Sequence, residues 1–142
     1  MSKDTKLRLG WIKGMYIYTI IGAGSFGLGM ILAPEFIKAA FIWPVNEPIA
    51  FGIIGSVYLT FGLMSILGLR SPLKFLPVLL MQLCYKSIWF IGVVFPLLIT
   101  EQLPSYAILN VITFATYIIG DLIAIPFSYI FSKSGELNYR SV

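Results

Sequence analysis

The sequence predicts an all-α integral membrane protein, folded as one four-helix bundle with both termini in the cytoplasm. Composition is the first observation behind this prediction. Of the 142 residues, 58% are hydrophobic and 11% are charged, whereas roughly a quarter of an average soluble domain is charged. The mean hydropathy of +0.91 excludes a soluble globular domain, a disordered chain and a secreted disulfide scaffold.

Four apolar stretches are the second observation, since about 20 residues of helix cross the hydrocarbon core. They run from about Gly14 to Leu32, from Ile49 to Leu69, from Phe75 to Ile99 and from Tyr106 to Phe131. The first follows basic residues, as the apolar part of a signal peptide does, but it is too long for one and we expect it to be retained. Residues 1–142 are therefore predicted to form a single transmembrane domain.

The basic residues outside the spans predict the orientation. Only Lys38 falls on one side of the four-span path, where Glu35, Glu47 and Glu101 also lie. Such an asymmetry places the basic side in the cytoplasm. The net charge of +4 then indicates anionic membrane lipids as partners, and we expect no binding of nucleic acid. The basic side carries Lys3, Lys6, Arg8, Lys13, Arg70, Lys74, Lys133 and Arg140.

The loop between the first two spans contains a short amphipathic segment. Phe36, Ala40 and Trp43 follow one another at i, i+4 and i+7, and Pro34 suits the first turn of a helix. We expect an interfacial helix over 35–43 on the outer side of the membrane, with Trp43 as its anchor. An irregular apolar loop is the alternative.

Scarce reactive side chains exclude several kinds of chemistry. The chain has no histidine, six carboxylates and one cysteine, Cys84. This excludes haem held by histidine, zinc held by Cys and His, Cys–His proteases and dithiol chemistry. We expect no metal and no cofactor, and we expect Cys84 to be a small packing residue.

Two ionisable residues lie inside the predicted spans. Lys86 is 11 residues from the inner end of the third span at Phe75, and Asp121 is 10 residues from the inner end of the fourth at Phe131. Consecutive spans are antiparallel, so the two side chains lie at nearly the same depth and are expected to form a buried ion pair. Each costs about 2.5–3.5 kcal/mol at the centre of a helix, so neither should face lipid. The pair either fixes the register of the helices or belongs to a functional site.

Other polar side chains lie at the same depth, so all four spans contribute to one predicted polar layer. Ser25 belongs to the first span, and Ser56 and Thr60 to the second, on either side of a tyrosine. A small or polar stripe follows the fourth span at Asn110, Thr113, Tyr117, Asp121, Ala124 and Ser128. The candidate ligand-binding residues of the layer are Lys86, Asp121, Tyr58, Gln82, Tyr85, Trp89 and Tyr117.

Small residues recur four positions apart in the first two spans. Examples are Ala23 with Gly27, and Gly52 with Ser56. This spacing lets helix backbones approach closely. We expect it to serve packing, either within the bundle or between copies, which would permit a homo-oligomer or a larger membrane complex.

The stretch Phe61-Gly-Leu-Met-Ser-Ile-Leu-Gly-Leu-Arg-Ser-Pro72, together with four short-looped helices and a first span ended by proline, resembles the small four-helix membrane proteins of the DoxX-like families. The resemblance covers most of the chain in architecture, and it implies a four-helix fold in a bacterial inner membrane. Some members of that group are accessory subunits of quinone-linked oxidoreductases, and many have no known role. The resemblance assigns a functional role to no residue of this chain.

Three kinds of function remain open at this point. The first is a non-enzymatic accessory or structural module with a buried Lys–Asp pair. The second is binding or proton-coupled transport of a lipid-like or quinone-like molecule at the polar layer, with Asp121 titrating and Lys86 as its counter-charge. The third, an intramembrane enzyme, is disfavoured because no nucleophile, metal set or oxyanion group accompanies the two charges.

Overall fold

The computed structural model describes residues 7–44 and 47–132, and all regular secondary structure within them is helical. Four of its helices are long and apolar enough to span a membrane. This confirms the all-helical class and the four predicted spans, although the first begins at Leu9 instead of Gly14. In chain order the helices are α1 (Leu9–Leu32), α2 (Pro34–Ala40), α3 (Pro48–Arg70), α4 (Leu76–Ile99), α5 (Ser105–Ala124) and α6 (Phe127–Ile130).

Local capping explains where α3 begins. The Glu47 carboxylate accepts hydrogen bonds from the backbone N–H groups of Ile49, at 3.0 Å, and Ala50, at 2.5 Å. These N–H groups have no carbonyl partner within the helix, and Pro48 occupies a first-turn position where no N–H is needed. Glu47 thus caps the N-terminus of α3, and the helix begins at Pro48.

The short helix predicted over 35–43 is present as α2, but it ends at Ala40. Trp43 lies beyond it, after a turn. Ile37, which the predicted apolar stripe omitted, is the residue of α2 that is buried, and it packs against Met30. Phe36 is 72% exposed, so the face that α2 turns toward the protein is not the predicted one.

The fourth span is shorter than predicted, because α5 ends at Ala124 and not near Phe131. Ile125 is extended, with ψ 119°, as expected for the residue before a proline. Pro126 then separates α5 from α6. Ser128, predicted on the same polar stripe, therefore lies in α6 and is exposed.

Glycines bring α1 and α3 into backbone contact. A Cβ added to Gly27 would lie 2.6 Å from the carbonyl oxygen of Gly55, and one added to Gly62 would lie 2.5 Å from Cα of Gly24. All four glycines are buried within the chain. A Cβ at Gly52 would have no neighbour within 4 Å. Most of these glycines thus serve the packing of α1 against α3 within one chain.

The helices are tightly packed at one end of the structure, which we call the closed half (residues 9–19, 76–83 and 117–130). Ile12, Leu79 and Tyr117 belong to one buried apolar cluster there. The Tyr16 hydroxyl donates to the carbonyl oxygen of Pro72, at 2.8 Å, and so attaches α1 to the connection between α3 and α4.

At the other end, the open half (residues 20–44, 48–60 and 86–116), α4 and α5 are packed less closely. Val94 is the only buried residue between 90 and 99, and Ile91, Phe95 and Ile99 are each more than half exposed. Both α1 and α4 enter this half through a π-helical turn, Ile20–Gly24 and Phe90–Val94 respectively. Such turns are rare and often occur at functional sites.

Candidate functional site

A hydrogen-bonded polar layer ties α1, α4 and α5 together between the two halves. The Gln82 amide donates to the Thr19 hydroxyl at 3.1 Å and to Oδ2 of Asp121 at 3.4 Å. The Thr19 hydroxyl in turn donates to the backbone carbonyl of Met15, at 2.8 Å. Thr19, Gln82 and Asp121 are all buried, each 0% exposed.

Lys86 lies one helical turn beyond Gln82 on the same face of α4, and it is 1% exposed. Its Nζ is 4.2 Å from the ring centroid of Tyr117, 4.4 Å from that of Tyr85 and 5.1 Å from that of Phe114. Such contacts with a desolvated ammonium contribute about 2 kcal/mol or more. Among the residues that the structure describes, none accepts a hydrogen bond from this Nζ.

The direct ion pair predicted between Lys86 and Asp121 is not formed. Between residues that the structure describes, an N–O approach within 4.0 Å joins Lys38 to Glu35, at 3.0 Å, but does not join Lys86 to Asp121. Nζ of Lys86 and Oδ1 of Asp121 are both buried without a hydrogen-bond partner. Both residues are buried, with Lys86 1% and Asp121 0% exposed, which agrees with the cost of placing a charge in lipid.

A cavity of about 270 Å³ lies beside Lys86, mainly among residues of the open half, with Tyr18 and Tyr117 of the closed half also in its wall. Its wall is built by all four long helices and by Phe41, and the exposed residues of this wall are Tyr18 of α1 and Leu109 of α5. Most of the wall is apolar or aromatic. The residues that carry polar groups into it are Tyr18, Tyr58, Tyr85, Lys86, Asn110, Thr113 and Tyr117.

A second cavity, of about 360 Å³, lies beside the first, and Ile53 and Val57 of α3 are exposed residues of its wall. Trp43 and Trp89 form part of its wall. Five residues are shared by the two walls, so the cavities adjoin. They are Phe26, Tyr58, Tyr85, Asn110 and Phe114.

The ring of Phe114 lies at the junction of the two cavities. It makes edge contacts with Tyr58, Tyr85 and Trp89, at centroid distances of 6.5, 6.0 and 5.1 Å. Edge-to-face arrangements of this kind are favourable for aromatic rings. Sequence reasoning missed Phe114, because an apolar residue in an apolar span carries no distinguishing signal.

The π-helical turn in α1 supplies a further contact at the wall. The backbone N–H of Ala23 donates to the Tyr117 hydroxyl at 3.2 Å, and that hydroxyl donates to the carbonyl oxygen of Tyr18 at 3.1 Å. The rings of Tyr18 and Tyr117 are stacked, with centroids 4.3 Å apart. The Tyr117 hydroxyl is therefore fully engaged by α1.

The seven predicted site residues fall into two groups. Five line the cavities: four belong to the first wall, and Trp89 belongs to the second wall together with Tyr58 and Tyr85. Gln82 and Asp121 line neither, and they form the hydrogen-bonded layer on the closed side of Lys86. The four in the first wall are Tyr58, Tyr85, Lys86 and Tyr117.

Other predictions about the layer are wrong. Ser25, Ser56 and Thr60 are exposed, and the hydroxyls of Ser56 and Thr60 donate to carbonyls one turn back in α3, each at 2.8 Å. Tyr58 is thus the polar residue of α3 that lies in the described cavity walls. Cys84 is exposed rather than packed in the core.

Comparison of the chain with protein-family models, with curated proteins and with solved structures finds no match. Fold and site alone therefore define its class, that of a multi-pass α-helical membrane protein. Within the described residues, His, Cys, Asp and Glu form no group of three that would hold a metal ion. The distinguishing feature is a buried lysine in the wall of an aromatic cavity that opens to the surface of the open half.

Proposed function

We propose that this protein is a non-enzymatic membrane protein that binds a lipid-like or quinone-like amphipathic molecule in the two adjoining cavities. The observation that carries the proposal is the buried Nζ of Lys86, which has no hydrogen-bond partner and belongs to the wall of an apolar cavity. Small-molecule sites are commonly apolar cavities of about 300–1,000 Å³ with a few placed polar groups.

The energetics of Lys86 favour a ligand. A charge removed from water is costly unless it is paired or hydrogen-bonded, and the three rings around Nζ offset only part of that cost. A ligand whose polar group accepts a hydrogen bond from Nζ would offset more. Its apolar part would lie against Phe114 and Tyr58, which form the junction of the cavities.

The exposed wall residues are Tyr18 and Leu109 in the first cavity and Ile53 and Val57 in the second, and all four lie on helices that are apolar enough to span a membrane. Lateral entry from the bilayer follows from this placement. It makes membrane lipids, or molecules dissolved among them, the source of the ligand.

In the orientation that we propose, the closed half faces the cytoplasm and the open half faces the outer leaflet of a bacterial inner membrane. Arg8, Lys13, Arg70 and Lys74 are at the closed end of the described helices, as the positive-inside rule requires. The remaining basic residues behind the sequence prediction are outside the described residues. They are Lys3, Lys6, Lys133 and Arg140.

A second candidate is the accessory or structural module predicted from the sequence. It is favoured by the hydrogen bonds that join Thr19, Gln82 and Asp121 across three helices, since such contacts hold membrane helices in register. In this alternative the cavities stay without a specific ligand, and the chain acts through a larger membrane complex.

Filling the cavity tests the main proposal. The Asn110→Trp variant places a large side chain where both cavities meet, and Ile119→Trp, on an exposed part of α5, is the matched control. We expect native mass spectrometry of the purified wild type and control to show a bound amphiphile that Asn110→Trp lacks. An empty wild-type protein, or equal retention by Asn110→Trp, would overturn the proposal in favour of the accessory module.

A further inference from the structure

We infer that the ligand is a single-chain amphiphile with an anionic oxygen head group, and that Lys86 and Tyr85 hold this group. The inference rests on the proposed function and adds the chemical class of the ligand. It starts from two neighbouring residues of α4 whose polar atoms are buried without a partner.

These two atoms are Nζ of Lys86 and the hydroxyl of Tyr85. Both residues belong to the wall of the first cavity. An ammonium group donates hydrogen bonds and cannot accept them, and a tyrosine hydroxyl is able to donate alongside it. An acceptor therefore suits the pair, and an ionised oxygen suits it best, because charge-assisted hydrogen bonds are roughly twice as strong as neutral ones.

Two other tyrosine hydroxyls of the first wall already have hydrogen-bond partners. That of Tyr117 is engaged by Ala23 and by Tyr18, and that of Tyr18 shares a hydrogen bond with Thr116, at 2.7 Å. The Tyr85 ring, by contrast, is one of the three that contact Nζ, at 4.4 Å. Within the described part of the first wall, Lys86 and Tyr85 are thus the residues whose donor atoms are buried without a partner.

The charge facing the cavities is positive. Among the residues that the structure describes, Lys86 is the only charged one in either wall. Asp121, the other buried charge, is outside both walls, and its Oδ2 is bonded to Gln82. A cationic head group would be repelled by Lys86 without meeting this carboxylate, whereas an anionic one is attracted.

The cavity sizes favour one hydrocarbon chain. The volumes of about 270 and 360 Å³ are each near the lower end of the range for small-molecule sites. With the head at Lys86, one chain would cross the junction at Phe114 and continue past Trp89 in the second cavity. A two-chain phospholipid would leave at least one chain outside.

Tryptophan quenching by brominated ligands tests this inference directly. The chain has three tryptophans, and Trp43 and Trp89 are both in the second wall, so Trp11→Phe leaves two reporters at the cavity. The probes are dibrominated stearate, its methyl ester, the corresponding stearyl phosphate and the corresponding amine, each titrated into the detergent-solubilised full chain.

We expect saturable quenching by the acid, and affinity for the ester and the amine that is about 10- to 100-fold lower, the equivalent of one charge-assisted hydrogen bond. Lys86→Met should lower acid affinity to the level of the ester, and Tyr85→Phe should lower it several-fold. Lys74→Met, which changes an exposed lysine, should leave it unchanged. Tighter binding of the carboxylate or of the phosphate identifies which head group the site prefers.

The outcomes separate this inference from the proposed function. Equal affinity for acid and ester would overturn the anionic head group and leave the binding of amphiphiles intact. Unchanged acid affinity in Lys86→Met, with ester binding preserved as proof of folding, would likewise overturn the role of Lys86. Absence of saturable quenching by any probe would overturn both.

Discussion

Gly27→Ala is the sharpest test of how α1 packs on α3. The added methyl carbon would lie 2.6 Å from the carbonyl oxygen of Gly55 and closer still to the backbone nitrogen of Leu59, whereas ordinary contact begins at 3.4 Å. These neighbours are backbone atoms, so no side-chain rotation relieves the clash. The two helices would have to separate by about 0.8 Å or more, which weakens dispersion contacts along their shared face.

The magnitude follows from two opposing effects. Overpacking costs about 1–3 kcal/mol and occasionally more. Gly27→Ala should be at the upper end of this range, because the atoms that clash with the new methyl group belong to the backbone and cannot rotate away. Alanine in place of glycine returns up to about 1 kcal/mol through helix propensity. We expect the free energy of unfolding to fall by about 2 kcal/mol or more.

Gly52→Ala is the matched control, because a Cβ at Gly52 has no neighbour within 4 Å. This variant keeps the gain in helix propensity without the clash, so its free energy of unfolding should rise by up to about 1 kcal/mol. Reversible unfolding in mixed micelles of increasing SDS fraction, followed by circular dichroism, measures both. A Gly27→Ala variant as stable as Gly52→Ala would refute the close approach of α1 and α3.

Three further predictions use the same unfolding assay or a local probe. Lys86→Met should be as stable as the wild type or up to about 2 kcal/mol more stable, because removing a buried ammonium that has no hydrogen bond offsets the loss of its contacts with the aromatic rings. A clear loss of stability would show that Lys86 serves to hold the fold together. Tyr117→Phe should lower the free energy of unfolding by about 1–3 kcal/mol, because the N–H of Ala23 loses its acceptor, and an unchanged value would contradict that contact. Pro126→Ala should let α5 continue past Ala124, visible as helical backbone chemical shifts at the two positions that now interrupt it; unchanged shifts would show that the proline does not cause the break.

Hydropathy was sufficient to predict the four spans, because the length of an apolar helix is set by the membrane that it must cross. The common depth of Lys86 and Asp121 followed from the antiparallel order of consecutive spans. Their direct contact did not follow, since matched depth leaves the rotation of each helix undetermined. In the structure, rotation brings Asp121 to Gln82 and turns Lys86 toward three aromatic rings.

Rotation also explains why Ser25 was predicted to face inward and Thr19 was missed. The π-helical turn Ile20–Gly24 separates the two residues, and one extra residue in a turn changes the direction of everything after it by about 100°. No sequence signal marked this turn. The cavities were equally unpredictable, because their walls are mostly apolar side chains that differ from the other apolar residues only in position.

The contrast between the closed and the open half has a consequence for local unfolding. A segment with few buried contacts opens at a lower free energy than the packed core, so the end of α4 beyond Phe90 is expected to open while the layer around Gln82 stays intact. A ligand that binds only the native cavities adds a stabilisation that grows with the logarithm of its concentration. That stabilisation opposes openings that disrupt the cavity walls, which α4 reaches at Lys86 and Trp89, so occupancy of the cavities would raise the free energy of local opening on the open side of the layer.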